Sequence, residues 1–167
     1  MDRDSALEIL RKNNVQENVI EHCTAVSELA VEIAKKIKAR KHNIDINFIE
    51  TAALLHDIGR SRTHGIRHGI EGAEIMKDHP LHARVCERHL GGGIAKEEAV
   101  ELGLPGRDYL PETLEEKVIC YADKLIDGNR RVTIEETIGK FRRRLGPRHQ
   151  TIQRIKRLDE EIRGLID

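Results

Sequence analysis

The chain has 167 residues, in which 29 Lys and Arg balance 29 Asp and Glu, so no net charge attracts nucleic acid or an acidic surface. The length suits one domain with its own hydrophobic core. Aromatic residues make up 2% of the chain and Trp is absent, so the core must be aliphatic, as is typical of interdigitating helices. We therefore expect an all-α, single-domain helical bundle and no nucleic-acid partner.

Hydropathy predicts no membrane segment, because no run approaches the roughly 18 apolar residues of a spanning helix. The N-terminus is charged rather than apolar, so no secretion signal is indicated. Cys23, Cys86 and Cys120 show no C-x-x-C spacing, and each falls on or beside an apolar stripe. We expect reduced core cysteines and a cytoplasmic protein.

Two helices are predicted at the N-terminus. Asp4 or Ser5 can cap a short first helix that ends near Lys12 and covers the core. A longer helix over residues 16–38 is predicted by apolar residues at three- and four-residue steps. His22 lies at the edge of that stripe, which makes it a candidate metal ligand.

The third predicted helix, over residues 48–58, ends its apolar stripe in His56 and Asp57, and Asp45 or Asn47 can cap its start. An apolar run should not end in an unpaired imidazole and carboxylate. A buried isolated carboxylate neutralises, pairs with a charge or coordinates a cation. We expect both side chains to bind one metal ion.

The next segment is an expected exposed loop over residues 59–67 that is rich in Arg, and Gly59 is the expected terminus of the third helix. A basic loop beside a metal ion suits phosphate binding. Small residues at Gly69, Gly72 and Ala73 would let the following helix, which His68 opens, approach a neighbour closely. A short helix over residues 81–89 then brings His89 to a glycine-rich stop.

A capping box of Thr113 and Glu116 predicts the start of another helix at Leu114. Its apolar face includes Asp123, and a carboxylate on a buried stripe needs a cation.

The C-terminal part contains a second capping box, Thr133 with Glu136, and a final helix whose apolar residues recur from Ile152 to Leu165. Gly146-Pro147 is the only candidate boundary, and too few residues follow it for another domain. We expect an N-terminal cover helix over residues 1–15, a core over residues 16–130, and C-terminal helices over residues 131–167 packed on that core.

The order of these residues resembles the HD superfamily of metal-dependent phosphohydrolases, and specifically its HD-I-G subset. The resemblance covers roughly residues 19–129 and rests on His22, His56-Asp57-Ile58-Gly59, and Ala122-Asp123-Lys124. Residues 89–123 also look like an archaeal group of small stand-alone HD proteins.

The resemblance implies a metal site held from several helices. One metal would be bound by His22, His56, Asp57 and Asp123. Some members hold a second metal with two further histidines and the HD aspartate as a bridge, and His68 and His89 match that arrangement. Imidazole and carboxylate ligands suit one or two divalent transition-metal ions, namely Fe, Mn, Co, Ni or Zn.

The implied activity is cleavage of a phosphomonoester or phosphodiester of a small nucleotide-like substrate by metal-activated water. Asp57, Lys124 and Arg60 are the expected catalytic residues, the last two as phosphate contacts. Other arginines near the ligand-bearing segments are Arg62, Arg67, Arg88, Arg130 and Arg131. Cleavage of cyclic dinucleotides is disfavoured, because Leu90 follows His89 and no G-Y-P sequence is present.

Other functions share the same residues. HD-fold oxygenases with a mixed-valent diiron centre resemble the same H…HD…H…H…D order, and in a non-catalytic module the metal would merely fix the bundle. A diadenosine tetraphosphate hydrolase is a further option, although the ligand spacings differ from that pattern. The sequence leaves a homodimer open.

Overall fold

The computed structural model describes residues 1–167 and confirms an all-α protein. The nine α-helices are α1 (Arg3–Lys12), α2 (Glu17–Ala39), α3 (Ile46–Leu55), α4 (His68–Ile75), α5 (Pro80–Arg88), α6 (Lys96–Glu101), α7 (Leu114–Lys124), α8 (Ile134–Leu145) and α9 (Gln150–Ile166). A short 3-10 helix, Ile58–Ser61, follows α3. None of the helices has both the length and the apolar composition needed to cross a membrane.

The long helix α2 lies at the centre of the bundle, where it contacts α3, α7 and α9. The larger of two main apolar clusters fills this region, with Ala30 and Ile37 of α2, Ile119 of α7 and Ile155 of α9 all fully buried. A second cluster lies under α1, which contacts α3 and buries Leu10 completely.

Side-chain caps fix where the helices begin. The capping boxes at Thr113 and Thr133 are present as predicted, and Asp45 accepts the backbone N–H of Phe48 at the start of α3. The predicted cap of α1 was wrong, because the carboxylate of Asp2 accepts the N–H of Ser5 and starts the helix earlier. A carboxylate at this position satisfies an N–H that has no partner within the helix.

Helix α3 ends at Leu55, three residues before the predicted end, so the terminus expected at Gly59 was wrong. His56 is the C-cap residue, and Asp57 leaves the helical region with φ −103° and ψ 13°. Adjacent residues in a continuous helix point about 100° apart. The early end therefore lets the two neighbouring side chains face the same point.

A small hairpin was not predicted. Strand β1 (Ile126–Asp127) pairs antiparallel with strand β2 (Arg130–Arg131), and the turn between them contains Gly128 with φ +63°. The sequence predicted only a turn over residues 127–129, since two residues in each strand give no readable alternation.

The 3-10 helix contacts α4 backbone to backbone at Gly59. A Cβ atom there would lie 1.9 Å from the carbonyl oxygen of His68 and 2.5 Å from the nitrogen of Gly72. Helix α4 also packs on α5, where a Cβ on Gly72 would lie 3.0 Å from the Cβ of Cys86. The close approach predicted from the small residues of α4 is confirmed.

Replacing Gly59 by Ala tests this packing. We expect Gly59→Ala to destabilise the protein by about 1–3 kcal/mol, because backbone atoms have to move apart. Each kcal/mol lowers the melting temperature of a domain of this size by about 2–4 °C, measurable by circular dichroism. The control is Gly164→Ala, because a methyl group on this exposed glycine of α9 would meet no atom within 4 Å. Equal melting temperatures for the two variants would contradict the tight contact.

Candidate metal centre

Two predicted ligands, His56 and His89, lie one residue past the end of a helix, after α3 and α5. The last carbonyl groups of a helix have no partner within it. Each imidazole turns back to such a carbonyl, so that Nδ1 of His56 lies 2.7 Å from the oxygen of Ala53 and Nδ1 of His89 lies 2.7 Å from the oxygen of Cys86. The helix ends thereby orient both rings.

The other two histidines predicted as ligands are also oriented by backbone carbonyl groups. Nδ1 of His68, at the start of α4, lies 2.8 Å from the carbonyl oxygen of Gly65, and Nδ1 of His22 lies 2.6 Å from that of Gly128 in the hairpin turn. A backbone carbonyl only accepts, so Nδ1 must donate. In all four rings Nε2 is then left facing the same region.

The first cluster of facing atoms contains His22, His56 and Asp123. Oδ1 of Asp123 lies 3.0 Å from Nε2 of His22 and 3.5 Å from Nε2 of His56. Oδ2 of Asp57 lies 3.9 and 3.8 Å from the same two nitrogens. Side chains from α2, α7 and the end of α3 therefore converge on one point.

The second cluster uses the other oxygen of Asp57. Oδ1 lies 3.1 Å from Nε2 of His68 and 3.2 Å from Nε2 of His89, and these two nitrogens are 3.2 Å apart. The structure thus brings together all six side chains predicted as ligands, with Asp57 between the two clusters. His56 also lies beside the second cluster, because its ligand atom is within 4.8 Å of those of Asp57 and His89.

Two cations contact the carboxylates of the centre. The ammonium group of Lys124, nearly buried, pairs with Oδ2 of Asp123 and donates to the carbonyl oxygen of His89 at 3.0 Å. Nε of Arg60 donates to Oδ2 of Asp57 at 2.6 Å. Both predicted catalytic cations therefore lie at the centre, and each contacts a carboxylate.

The centre keeps both acids ionised. Burial alone would raise the pKa of Asp57, but His56, His68 and His89 hold it well below its usual range. Burial likewise acts to raise the pKa of Asp123, and this effect is outweighed by Lys124 and by two of the histidines.

The pKa values of two of the histidines shift in opposite directions. Burial lowers the pKa of His89 to about 4, so this imidazole is neutral near pH 7. Burial also acts to lower the pKa of His56, but Cys23, Asp57 and Asp123 together raise it well above its usual value. The two carboxylates therefore favour a positive charge beside His56.

The donor set fits a metal ion. In a neutral ring whose Nδ1 donates to the backbone, Nε2 presents a lone pair to carboxylate oxygens 3–4 Å away, and two such acceptors repel unless a proton or a metal ion lies between them. Nε2 of His56 and Oδ1 of Asp57 are buried without a hydrogen-bond partner. A divalent cation would satisfy these atoms, and buried polar atoms rarely lack a partner.

The centre opens into a cavity of about 1060 Å³ that is lined by His22, His68, His89, Asp123 and residues of α6 and α8. Of the six arginines near the ligand-bearing segments, only Arg60 and Arg130 line it. The others contact protein groups, as Arg62 does with Glu71 and Arg131 does with Glu32.

Sequence reasoning missed two contributors to the site. One is the carbonyl of Gly128, which orients His22 and leaves no signal because it is a backbone group in a turn. The other is the face of α8 that carries Lys140, Arg143 and Arg144 into the cavity wall. A basic run at the C-terminal end of a helix is common without a ligand, so it carries no signal of a site.

Comparison with known proteins gives the family. Residues 19–127 match the HD domain model. An uncharacterised protein of Methanocaldococcus jannaschii is 54% identical over 99% of both chains. A tRNA (cytidine(56)-2′-O)-methyltransferase of Thermoplasma volcanium is 41% identical over 86% of this chain, and a ribonuclease Y of Chloroflexus aurantiacus is 31% identical over 77% of it.

The coverage of these relatives differs. The match spans 42% of the Thermoplasma methyltransferase and 22% of the Chloroflexus ribonuclease, so this chain corresponds to a part of each. No solved structure matches the chain. The family model covers well over half of the sequence, and the matched residues include all six candidate ligands. The chain therefore belongs to the HD-domain family.

Proposed function

We propose that this protein is a metal-dependent phosphohydrolase that cleaves a phosphomonoester or phosphodiester of a nucleotide-like substrate. One observation carries the proposal: four imidazole Nε2 atoms and two ionised carboxylates converge at the wall of a cavity large enough for such a ligand. Ligand cavities commonly have volumes of about 300–1,000 Å³.

The proposed cofactor is one or two ions of Fe, Mn, Co, Ni or Zn. Such an ion, when bound, acidifies a coordinated water and polarises a phosphoryl oxygen. Oδ1 of Asp57 faces His68 and His89, whereas Oδ2 faces His22 and His56. This arrangement supports two metal positions rather than one. In this proposal Asp57 joins both positions.

Arg60 and Lys124 receive different proposed roles. Arg60 lines the cavity and uses only Nε on Asp57, so its two terminal nitrogens remain for a phosphoryl oxygen. The ammonium of Lys124 is already shared by Asp123 and the carbonyl of His89. We assign Lys124 a positioning role, in which it fixes Asp123 against His89.

A second candidate is hydrolysis of an RNA phosphoester. It is favoured by the names of two relatives, a tRNA methyltransferase and a ribonuclease, that contain a region similar to this chain. The same site chemistry would serve, since the scissile group is again a phosphoester.

Replacing Asp57 tests the metal centre. We expect Asp57→Asn to lose both bound metal and turnover, because the amide removes the negative charge that faces all four histidines. Metal content is measured by inductively coupled plasma mass spectrometry on protein purified without chelator. Turnover is measured with a phosphomonoester and phosphodiester panel in Mn, Fe, Co, Ni or Zn. Asp78→Asn, at an exposed carboxylate outside the cavity, serves as the control. Full metal content in Asp57→Asn would refute the assignment.

The dependence on dioxygen separates the hydrolase from a diiron oxygenase, which would use the same six side chains. A phosphohydrolase needs only the divalent metal, so we expect equal rates of phosphate release in anaerobic and aerated buffer. Turnover that stops on removal of oxygen would favour the oxygenase. A folded, metal-loaded protein that is inert across the whole phosphoester panel would favour the non-catalytic module.

Replacing Arg60 tests its proposed phosphate contact. We expect Arg60→Ala to keep its metal and to lose about 100-fold in kcat/KM, the loss typical of removing one donor to a developing anion. Arg62→Ala is the matched control, because Arg62 is close in sequence, pairs with Glu71 and does not line the cavity. Loss of metal in Arg60→Ala would instead show that Arg60 only holds Asp57.

A further inference from the structure

The cavity continues from the metal centre along α8. Near the centre, the hydroxyl of Thr137 donates to the carbonyl oxygen of Lys124, the residue after the candidate ligand Asp123. Arg143 and Arg144 line the same cavity one and a half to two turns further on, and a helix rises about 1.5 Å per residue. The backbone of these two arginines therefore lies about 10 Å further along the helix axis than that of Thr137.

Three arginines of the cavity wall have no protein partner for their charge. Arg130, Arg143 and Arg144 line the cavity and form no ion pair, whereas Lys140 pairs with Asp127 and Arg154 pairs with Glu98. The acids of α8 that line the cavity, Glu135 and Glu136, belong to its first turn, at the opposite end of the helix. Like these two acids, Glu101 on the α6 side of the cavity forms no ion pair.

The cavity wall also carries exposed apolar side chains. Ile66, Leu102 and Leu145 are 40%, 48% and 40% exposed, and all three line the cavity. Large aliphatic side chains are normally covered, so their exposure in one cavity with unpaired arginines indicates a ligand that is both apolar and anionic. A nucleotide has this character, because its base has an apolar face and its phosphate is charged.

The α8 wall of the cavity lies outside the part of the chain that defines the family. The family model stops at residue 127, whereas α8 begins at Ile134. The wall that carries Arg143, Arg144 and Leu145 is therefore contributed by the C-terminal extension of this chain.

We propose that Arg143, Arg144, Ile66, Leu102 and Leu145 form a second nucleotide site, the distal subsite, and that the substrate is a single-stranded nucleic acid of at least two nucleotides. The arginines bind the phosphate next to the scissile one, and the three aliphatic side chains cover its base. The inference rests on the proposed phosphohydrolase function and narrows its substrate class.

Binding of a short oligonucleotide tests the distal subsite. The probe is a fluorescein-labelled, phosphorothioate-linked oligoadenylate, titrated with the purified full-length protein and followed by fluorescence anisotropy at several salt concentrations. We expect the double variant Arg143→Ala, Arg144→Ala to bind about tenfold more weakly near 0.1 M salt, with the slope of log K against log salt reduced by about 0.7, because the two arginines contact one phosphate. Arg142→Ala is the matched control, because this exposed neighbour neither lines the cavity nor forms an ion pair.

Competition defines the length of the ligand. Adenosine 5′-monophosphate fills one site only, so we expect a 5′-phosphorylated adenylate dinucleotide to displace the probe at a concentration about tenfold lower. Three outcomes would overturn the proposal: an unchanged salt slope in the double variant, an equal loss in Arg142→Ala, or equal competition by mono- and dinucleotide. The binding assay does not depend on turnover. A protein that is inactive in the phosphoester panel would refute the proposed function, and the binding data would still test the distal subsite.

Discussion

Four hydrogen bonds from imidazole Nδ1 atoms to backbone carbonyls decide the chemistry of this protein. Each bond fixes which nitrogen carries the proton and directs the other nitrogen to the carboxylates of Asp57 and Asp123. The resulting cluster of acceptors is unfavourable without positive charge among them. A cation at this point therefore stabilises the fold and supplies the chemistry through the same contacts.

The position of the cluster depends on a second set of charges further from it. Glu116 of α7 is buried and accepts from Arg84 at 2.8 Å and from Arg88 at 3.4 Å, both on α5. Because α7 carries Asp123 and α5 ends next to His89, these ion pairs fix the distance between the two clusters. Buried ion pairs contribute little net stability, but removing one partner is strongly destabilising, so they hold a single arrangement.

Apolar periodicity, a local signal, predicted the helices. The six candidate ligands were predicted because their order in the sequence resembles that of the HD family, and their role as ligands stays a prediction. The sequence did not predict that α3 ends at Leu55. We attribute this end to the contact of Gly59 with α4, and a contact between separate parts of the chain cannot be read from local sequence. The carbonyl of Gly128 could not be predicted either, since any residue has such a group. The distal end of the cavity was missed because basic residues at a helix C-terminus are common without a ligand.

The backbone contact at Gly59 has a mechanical consequence. It connects the turn that carries Asp57 to the helix that begins with His68, and no rotatable side-chain bond lies between them. Side-chain packing loosens through rotamer changes, whereas contact between two main chains has no such freedom. The separation of these two backbone segments therefore has less freedom to change than the opening of the cavity towards α8, which long side chains line.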